Sequence, residues 1–182
     1  MRDRLAQWRT AVINQIGGFL LERGITFAEG PAELRQQLPA ILEDADQKLT
    51  ANMRNLLDHL WRECKQLQSD ADVVSEQIEV ISAEDAACQR LRQIPRLGPL
   101  IATATIAAIG HAAAFHKGRE FAAWLRLVPQ QHSTGVKTKL SGINKRGNVY
   151  LRRMYTQGAR AVLLRAKYNT GALGTWMRQL EG

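Results

Sequence analysis

Residues 93–111 read QIPRLGPLIATATIAAIGH. Residues 95–98 form a short turn, because proline presets one central turn position and glycine lets backbone approach backbone. Pro99 suits the first position of a new helix, where its missing N–H costs nothing. The small-residue run that follows stays helical until Gly110. Upstream, Ser82 with Asp85 three residues later resembles a capping arrangement that starts a helix running to about Arg92. The stretch therefore reads helix, tight hairpin, helix.

Working toward the N-terminus, a long apolar seam runs from Leu42 through Leu49, Met53, Leu56, Leu60, Cys64, Leu67, Ala71, Val74, Ile78 and Ile81, mostly in alternating steps of three and four. Those steps are a heptad seam. Asp46 interrupts it and the doubled four-step at Leu60 reads as a stutter, so a coiled coil built on it is imperfect. The helix would begin at Pro39 and extend about 60 Å. Two readings stay open: a dimerisation arm, or a long helix packed on the first helix of the same subunit. That first helix carries Leu5, Trp8, Val12, Ile16, Phe19 and Leu20 on one stripe and is closed by Gly24. A short helix through Leu38 follows the punctuation at Gly30 and Pro31.

Toward the C-terminus, a short helix covers residues 119–127. The polar segment QQHSTGVKTKLSGINKRGN after Pro129 is a loop or small hairpin, too rich in Gly, Ser, Thr and Lys for a helix interior. Helical pattern returns over residues 149–166, and a last amphipathic fragment surrounds Leu173, Trp176, Met177 and Leu180. The chain is all-α, a coiled-coil arm (1–81) followed by a compact helical domain (82–182) with one polar loop or small hairpin.

Charge divides the chain in a related way. Residues 1–120 carry 14 Lys/Arg against 16 Asp/Glu, whereas residues 121–180 carry 11 Lys/Arg and no acid. Ordinary solvated surfaces mix both signs, so the uncompensated cations favour a phosphate backbone as partner. No apolar run reaches the ~20 residues that cross a bilayer, and the charged opening MRDRLAQWRT is unlike a signal peptide. We expect a cytoplasmic protein with no membrane partner. Cys64 and Cys88 match neither a zinc knuckle nor a disulfide framework and read as two buried thiols. The four histidines have no ligand spacing, and no metal or cofactor is expected in this chain.

Several residues could carry chemistry. Leu97 and Gly98 lead into a helix N-terminus whose free N–H groups suit a phosphate oxygen. The pattern resembles the helix-hairpin-helix of many DNA-binding proteins, with Arg96 standing where a second glycine is usual. Arg96 could contact phosphate directly or prevent the tight turn. Ser133, Thr134 and Ser141 are hydroxyls near Lys137, Lys139, Lys145 and Arg146, a setting suited to phosphoryl transfer because cations stabilise charge on a pentavalent phosphate. Arg152 and Arg153, with Tyr150 and Tyr155 interleaved, add phosphate contacts. Three functions compete: a hydroxyl-bearing DNA recombinase, a non-catalytic helix-hairpin-helix module that binds nucleic acid, and a coiled-coil assembly protein with an incidental basic end.

The ordered set IPRLGPLIATATIAAIG and FAAWLRLVPQQHSTGVKTKLSGINKRGNVYLRRMYTQGARAVL resembles the C-terminal domain of bacterial insertion-sequence transposases of the IS one-ten type, in the eleven-eleven branch. The resemblance is close over residues 92–166. The opening MRDRLAQWRTAVINQIGGFLLERGI also resembles the helix that follows the family's catalytic N-terminal domain. It implies a site-specific DNA recombinase in which a RuvC-like domain holds Mg²⁺ through carboxylates. A C-terminal serine attacks DNA, and some members use a bridging RNA as guide. Carried onto this chain, the nucleophile is Ser133, with Thr134 as alternative because serine often stands directly before the glycine. With no acidic domain of that kind in the sequence, the resemblance implies a fragment inactive by itself; the forty-residue narrow seam, longer than a small core usually needs, favours a homodimer through the long helices.

Overall fold

A computed structural model of the chain describes residues 1–26, 30–44, 49–110, 113–134, 137–143, 147–164, 171, 174, 175, 177 and 179; of residues 130–134, 137–141 and 143 it describes the backbone alone. The described elements are α1 (Arg2–Leu21), α2 (Pro31–Glu43), α3 (Ala51–Glu84), α4 (Ala86–Arg92), α5 (Pro99–Ile109), α6 (Gly118–Trp124), β1 (Pro129–Thr134), β2 (Lys137–Ile143) and α7 (Val149–Leu163). The fold is helical, as the apolar periodicity predicts, and the polar segment after Pro129 is a hairpin. Two compact units divide the chain, Met1–Gln77 and Ile78–Gly182.

In the first unit the α1 stripe buries Leu5, Val12, Ile16 and Leu20. Trp8, at the edge of that stripe, stays half exposed with the Arg4 guanidinium 4.8 Å from its ring centre. Gly24 adopts φ +72°, and the Ile25 N–H donates to the Leu20 carbonyl at 3.0 Å, a bond that closes the helix end. Helix α1 runs antiparallel to α3. Arg2 Nε donates to Ser75 Oγ at 2.9 Å, and seven residues on, Arg9 Nη1 donates to Gln68 Oε1, seven residues back along α3.

Pro39 does not open the long helix; it lies inside α2. The N–H it lacks is a local loss, and buried Leu38 and Ile41 on either side hold α2 to the core through it. Helix α2 ends four residues later, where the Arg54 guanidinium donates to the carbonyls of Leu42 at 2.5 Å and Asp44 at 2.6 Å. Those carbonyls belong to the last turn, which has no partners within its own helix. The long helix starts instead at Ala51, with the Thr50 hydroxyl accepting from the Met53 N–H at 3.3 Å. It has 34 residues, about 51 Å at ~1.5 Å per residue.

The seam of α3 is broader than two heptad positions. Leu60, Cys64 and Ala71 are buried as read, but Leu57 and Trp61 are buried too, while the seam residues Leu56 and Ile81 are exposed. One core joins Val12, Ile16 and Leu20 of α1, Leu34, Leu38 and Ile41 of α2, and Leu57, Leu60, Trp61 and Cys64 of α3. A helix meeting two partners buries a wider stripe than one meeting a single partner. Packing on α1 and α2 within the chain thus accounts for this part of the seam. Asp46 lies outside the described residues.

In the second unit Ser82 is not a cap. It sits inside α3, fully buried, and its hydroxyl has no hydrogen-bond partner among the described residues. Helix α3 continues to Glu84, so the extended residue that a cap requires is Asp85, whose Oδ1 accepts from the Cys88 N–H at 2.7 Å. That backbone hydrogen bond holds the Asp85 carboxyl below its usual pKa. A depressed folded pKa gives stability that is present above the unfolded value and is lost as pH falls through the folded one. Asp85→Ala should therefore lower the urea midpoint at pH 7 and shrink its fall on acidification. Asp85→Asn should keep most of the neutral-pH midpoint while losing the same acid dependence. Equal acid dependence in all three proteins, measured by urea titration at pH 7 and pH 3, would contradict this account.

Candidate nucleic-acid interface

Helices α4 and α5 are joined by a turn in which the Leu97 N–H donates to the Ile94 carbonyl at 3.1 Å, with Pro95 and Arg96 between them. Arg96 has φ +68°, the left-handed value that the third residue of such a turn requires and that glycine accepts most readily. Arg96 thus does not prevent the turn. It adopts the glycine conformation, at a cost on the order of 1 kcal/mol, and is exposed. The bonded turn thus lies one residue earlier than read: Gly98 follows it in extended conformation, with nothing within 4 Å of where a Cβ would stand, so no close backbone approach is made there, and it precedes Pro99 at the start of α5 without a side-chain cap.

Helix α7 packs on this turn. A Cβ built on Gly158 would lie 3.5 Å from the Arg96 carbonyl oxygen and 3.6 Å from Ile101 Cδ1, so a small residue here lets α7 approach closely. Three residues earlier, Tyr155 OH lies 3.0 Å from Thr105 Oγ of α5. The Thr105 hydroxyl donates to the Ile101 carbonyl at 2.6 Å, so Tyr155 donates and Thr105 accepts. Burial pushes the Tyr155 phenol up. Phe121 meets Tyr155 edge-on at 5.6 Å and stacks with Trp124 at 6.0 Å, while Phe115 contacts both Phe121 and Trp124. These rings fix α6 against α7.

The start of α7 is set by Asn148, whose Oδ1 accepts from the Leu151 N–H at 3.0 Å. Just before it, Gly147 has φ +96°, a conformation that strains any other residue, and a Cβ there would come 3.3 Å from Arg126 Cγ, a tight contact. Arg152 and Arg153 therefore sit in the first two turns of α7, with the Arg153 guanidinium 5.7 Å from the Tyr150 ring centre.

The hairpin between α6 and α7 carries the candidate hydroxyls. Its strands are antiparallel, pairing Thr134 with Lys137, Ser133 with Thr138, His132 with Lys139 and Gln131 with Leu140. The register shifts by one between Pro129 and Gln131, which places the extra residue of β2 next to Gly142, a usual site for a bulge. Ser141 lies at this irregularity. Lys145 and Arg146 lie outside the described residues, as does much of the fragment around Trp176. Among the described residues no three His, Cys, Asp or Glu side chains are grouped to hold a metal. No described helix is long and apolar enough to cross a membrane, and Cys64 and Cys88 are both buried and free.

The family profile described as Transposase IS116/IS110/IS902 family matches residues 88–173. The chain is also 38% identical over 180 residues to the transposase for insertion sequence element IS1111A of Coxiella burnetii, an alignment covering 99% of this chain and 50% of that protein. Residues 88–173 match that transposase family. A second relative, the transposase for insertion sequence element IS1328 of Yersinia enterocolitica, is 33% identical over 177 residues, covering 97% of this chain and 52% of that protein. The chain spans about half the length of these curated relatives. No solved structure matches it.

The transposase domain begins at Cys88 in the first turn of α4 and takes in α5, α6, the hairpin and α7. It thus contains every candidate residue in one structural unit, although the structure leaves the side chains of the hairpin hydroxyls and lysines undescribed. Sequence reading missed Asn148, Gly158 and the Thr105–Tyr155 bond. Asn148 had a signal, an Asx residue directly before an amphipathic run. Gly158 and Thr105 had none, because what they pack against comes from another helix.

Proposed function

We propose that this chain is the DNA-binding and hydroxyl-bearing portion of a transposase acting in DNA transposition. The observation that carries the reading is the hairpin register: hydroxyl and lysine positions pair across β1 and β2, inside a sixty-residue stretch with eleven cations and no acid. In the proposed step the hydroxyl oxygen bonds to the phosphorus of a DNA diester. Its proton passes to solvent, and the displaced strand leaves with its own oxygen. Lysines at the paired positions offset the charge that builds on the phosphorus centre. Arg96, Leu97, Gly98, Arg152 and Arg153, with Lys145 and Arg146, hold the flanking phosphates.

The partners of this reading are DNA, a bridging RNA and a second copy of the chain through its long helices. The Mg²⁺ that the family resemblance implies belongs to an acidic RuvC-like domain. Among the described residues no three His, Cys, Asp or Glu side chains are grouped as ligands, and the chain alone is proposed to be inactive.

Phosphate neutralisation makes affinity fall steeply with salt. A DNA gel-shift titrated over salt should give a linear loss of log affinity, and Arg152→Gln should reduce the slope by about one. A flat salt response would remove DNA as the partner and leave the coiled-coil assembly reading.

A further inference from the structure

The first unit lies outside residues 88–173 and carries 9 Lys/Arg against 12 Asp/Glu, yet its cations are not evenly placed. A cavity of about 330 Å³ opens where α1, α2 and α3 meet, lined by Arg9, Arg35, Lys65, Gln68, Trp61 and Cys64 among others. Each helix contributes one cation to it. We infer that this cavity is a binding site for a phosphate oxyanion, with Arg9, Arg35 and Lys65 as its charged donors.

Arg9 is the inner member. Its Nη1 is engaged by Gln68, but its Nε is shut off from solvent and has no hydrogen-bond partner. A buried guanidinium N–H left unpaired is costly, which marks Arg9 as held in place for its charge rather than for its hydrogen bonds. The planar fork of arginine suits an oxyanion of phosphate geometry. Arg35 and Lys65 stand exposed at the rim, and the Lys65 ammonium lies 5.7 Å from the Trp61 ring centre.

No carboxylate lines the cavity. The ion pairs found among the described residues join Arg23 with Glu22, Arg62 with Asp58 and Arg92 with Glu79, none of them a cation of this site. The nearby Asp72 accepts from Gln68 Nε2 at 2.7 Å. Burial pushes the Cys64 thiol up, Arg9 and Arg35 pull it back down, and the Glu63 carboxylate, outside the cavity lining, adds a smaller rise. Ile13, Pro31 and Trp61 supply apolar wall, room for the sugar or base that accompanies a nucleic-acid phosphate.

The oxyanion can come from a nucleic-acid strand or from free phosphate, and calorimetric titration of the 182-residue chain separates them. Inorganic phosphate and a ten-nucleotide single strand are titrated separately at constant ionic strength, against the native chain and the double variant Arg35→Gln/Lys65→Gln. Both substituted residues are exposed, so the variant should keep the native circular dichroism. A fall of roughly tenfold or more in affinity is expected in the variant, with Arg62→Gln, which removes an exposed cation of α3 outside the cavity, unchanged. Weakening for the strand, with or without inorganic phosphate, assigns a strand phosphate; weakening for inorganic phosphate alone assigns the free ion. Undiminished binding of both ligands in the double variant, or no binding of either to the native chain, would overturn the site.

Discussion

In an intact transposase carrying this domain, Thr134→Ala is expected to abolish the covalent DNA adduct, a loss on the order of a thousandfold or more, whereas Ser133→Ala retains it. The two hydroxyls are adjacent in sequence, and sequence reasoning placed Ser133 first. The hairpin register separates them, because Thr134 is paired with Lys137 while Ser133 is paired with Thr138. Directly paired positions share one side of a ribbon and neighbours in a strand alternate. Two steps along from Thr134, His132 is paired with Lys139, so both lysine positions fall on the same parity as Thr134. A nucleophile that generates charge on phosphorus gains from cations at its own register. Trapping on nicked DNA and mapping the adduct by mass spectrometry checks this. An adduct lost only in Ser133→Ala would move the role to Ser133, and loss in neither would leave a module that binds nucleic acid without cutting it.

Leu57→Ala is expected to destabilise the first unit by about 3 kcal/mol, lowering its thermal midpoint by roughly 10–20 °C. Leu57 is wholly buried in the core shared by α1, α2 and α3, so removing its side chain takes away apolar burial and leaves a cavity that three rigid helices collapse only in part. The comparison variant is Leu56→Ala, one position away on the exposed side of α3. It should cost less than about 1 kcal/mol. Scanning calorimetry of the two variants tests the wider packing face directly. Were the heptad seam the true contact line, the order of the two effects would be reversed.

Much of the fold was legible in local signals. A turn at Pro95 between two helices, found one residue earlier than read, the helix ends at Gly24 and Gly110, and the helical stretches all follow from backbone preferences that neighbouring residues impose. The errors had a common origin. Pro39 looked like a helix start and Ser82 like a cap, and both rules are sound for an isolated segment. Buried Leu38 and Ile41 carry α2 through the proline, and α3 runs on through Ser82 to Glu84, because packing energy from distant residues outweighs local preferences of about one to three kilocalories.

The candidate site divides in the same manner. Its chemistry was written in the sequence: an acid-free basic stretch, hydroxyls among lysines, and a proline–glycine turn ahead of a helix. Composition and short-range spacing suffice for that, since they depend only on which groups the chain owns. Only the tertiary structure decided which hydroxyl position faces a lysine position and that Arg96 adopts the left-handed turn against α7. It likewise brought Arg9, Arg35 and Lys65 together around one cavity. Those relations join residues far apart in sequence or on opposite strands, and they exist only once cross-strand pairing and helix packing fix the register.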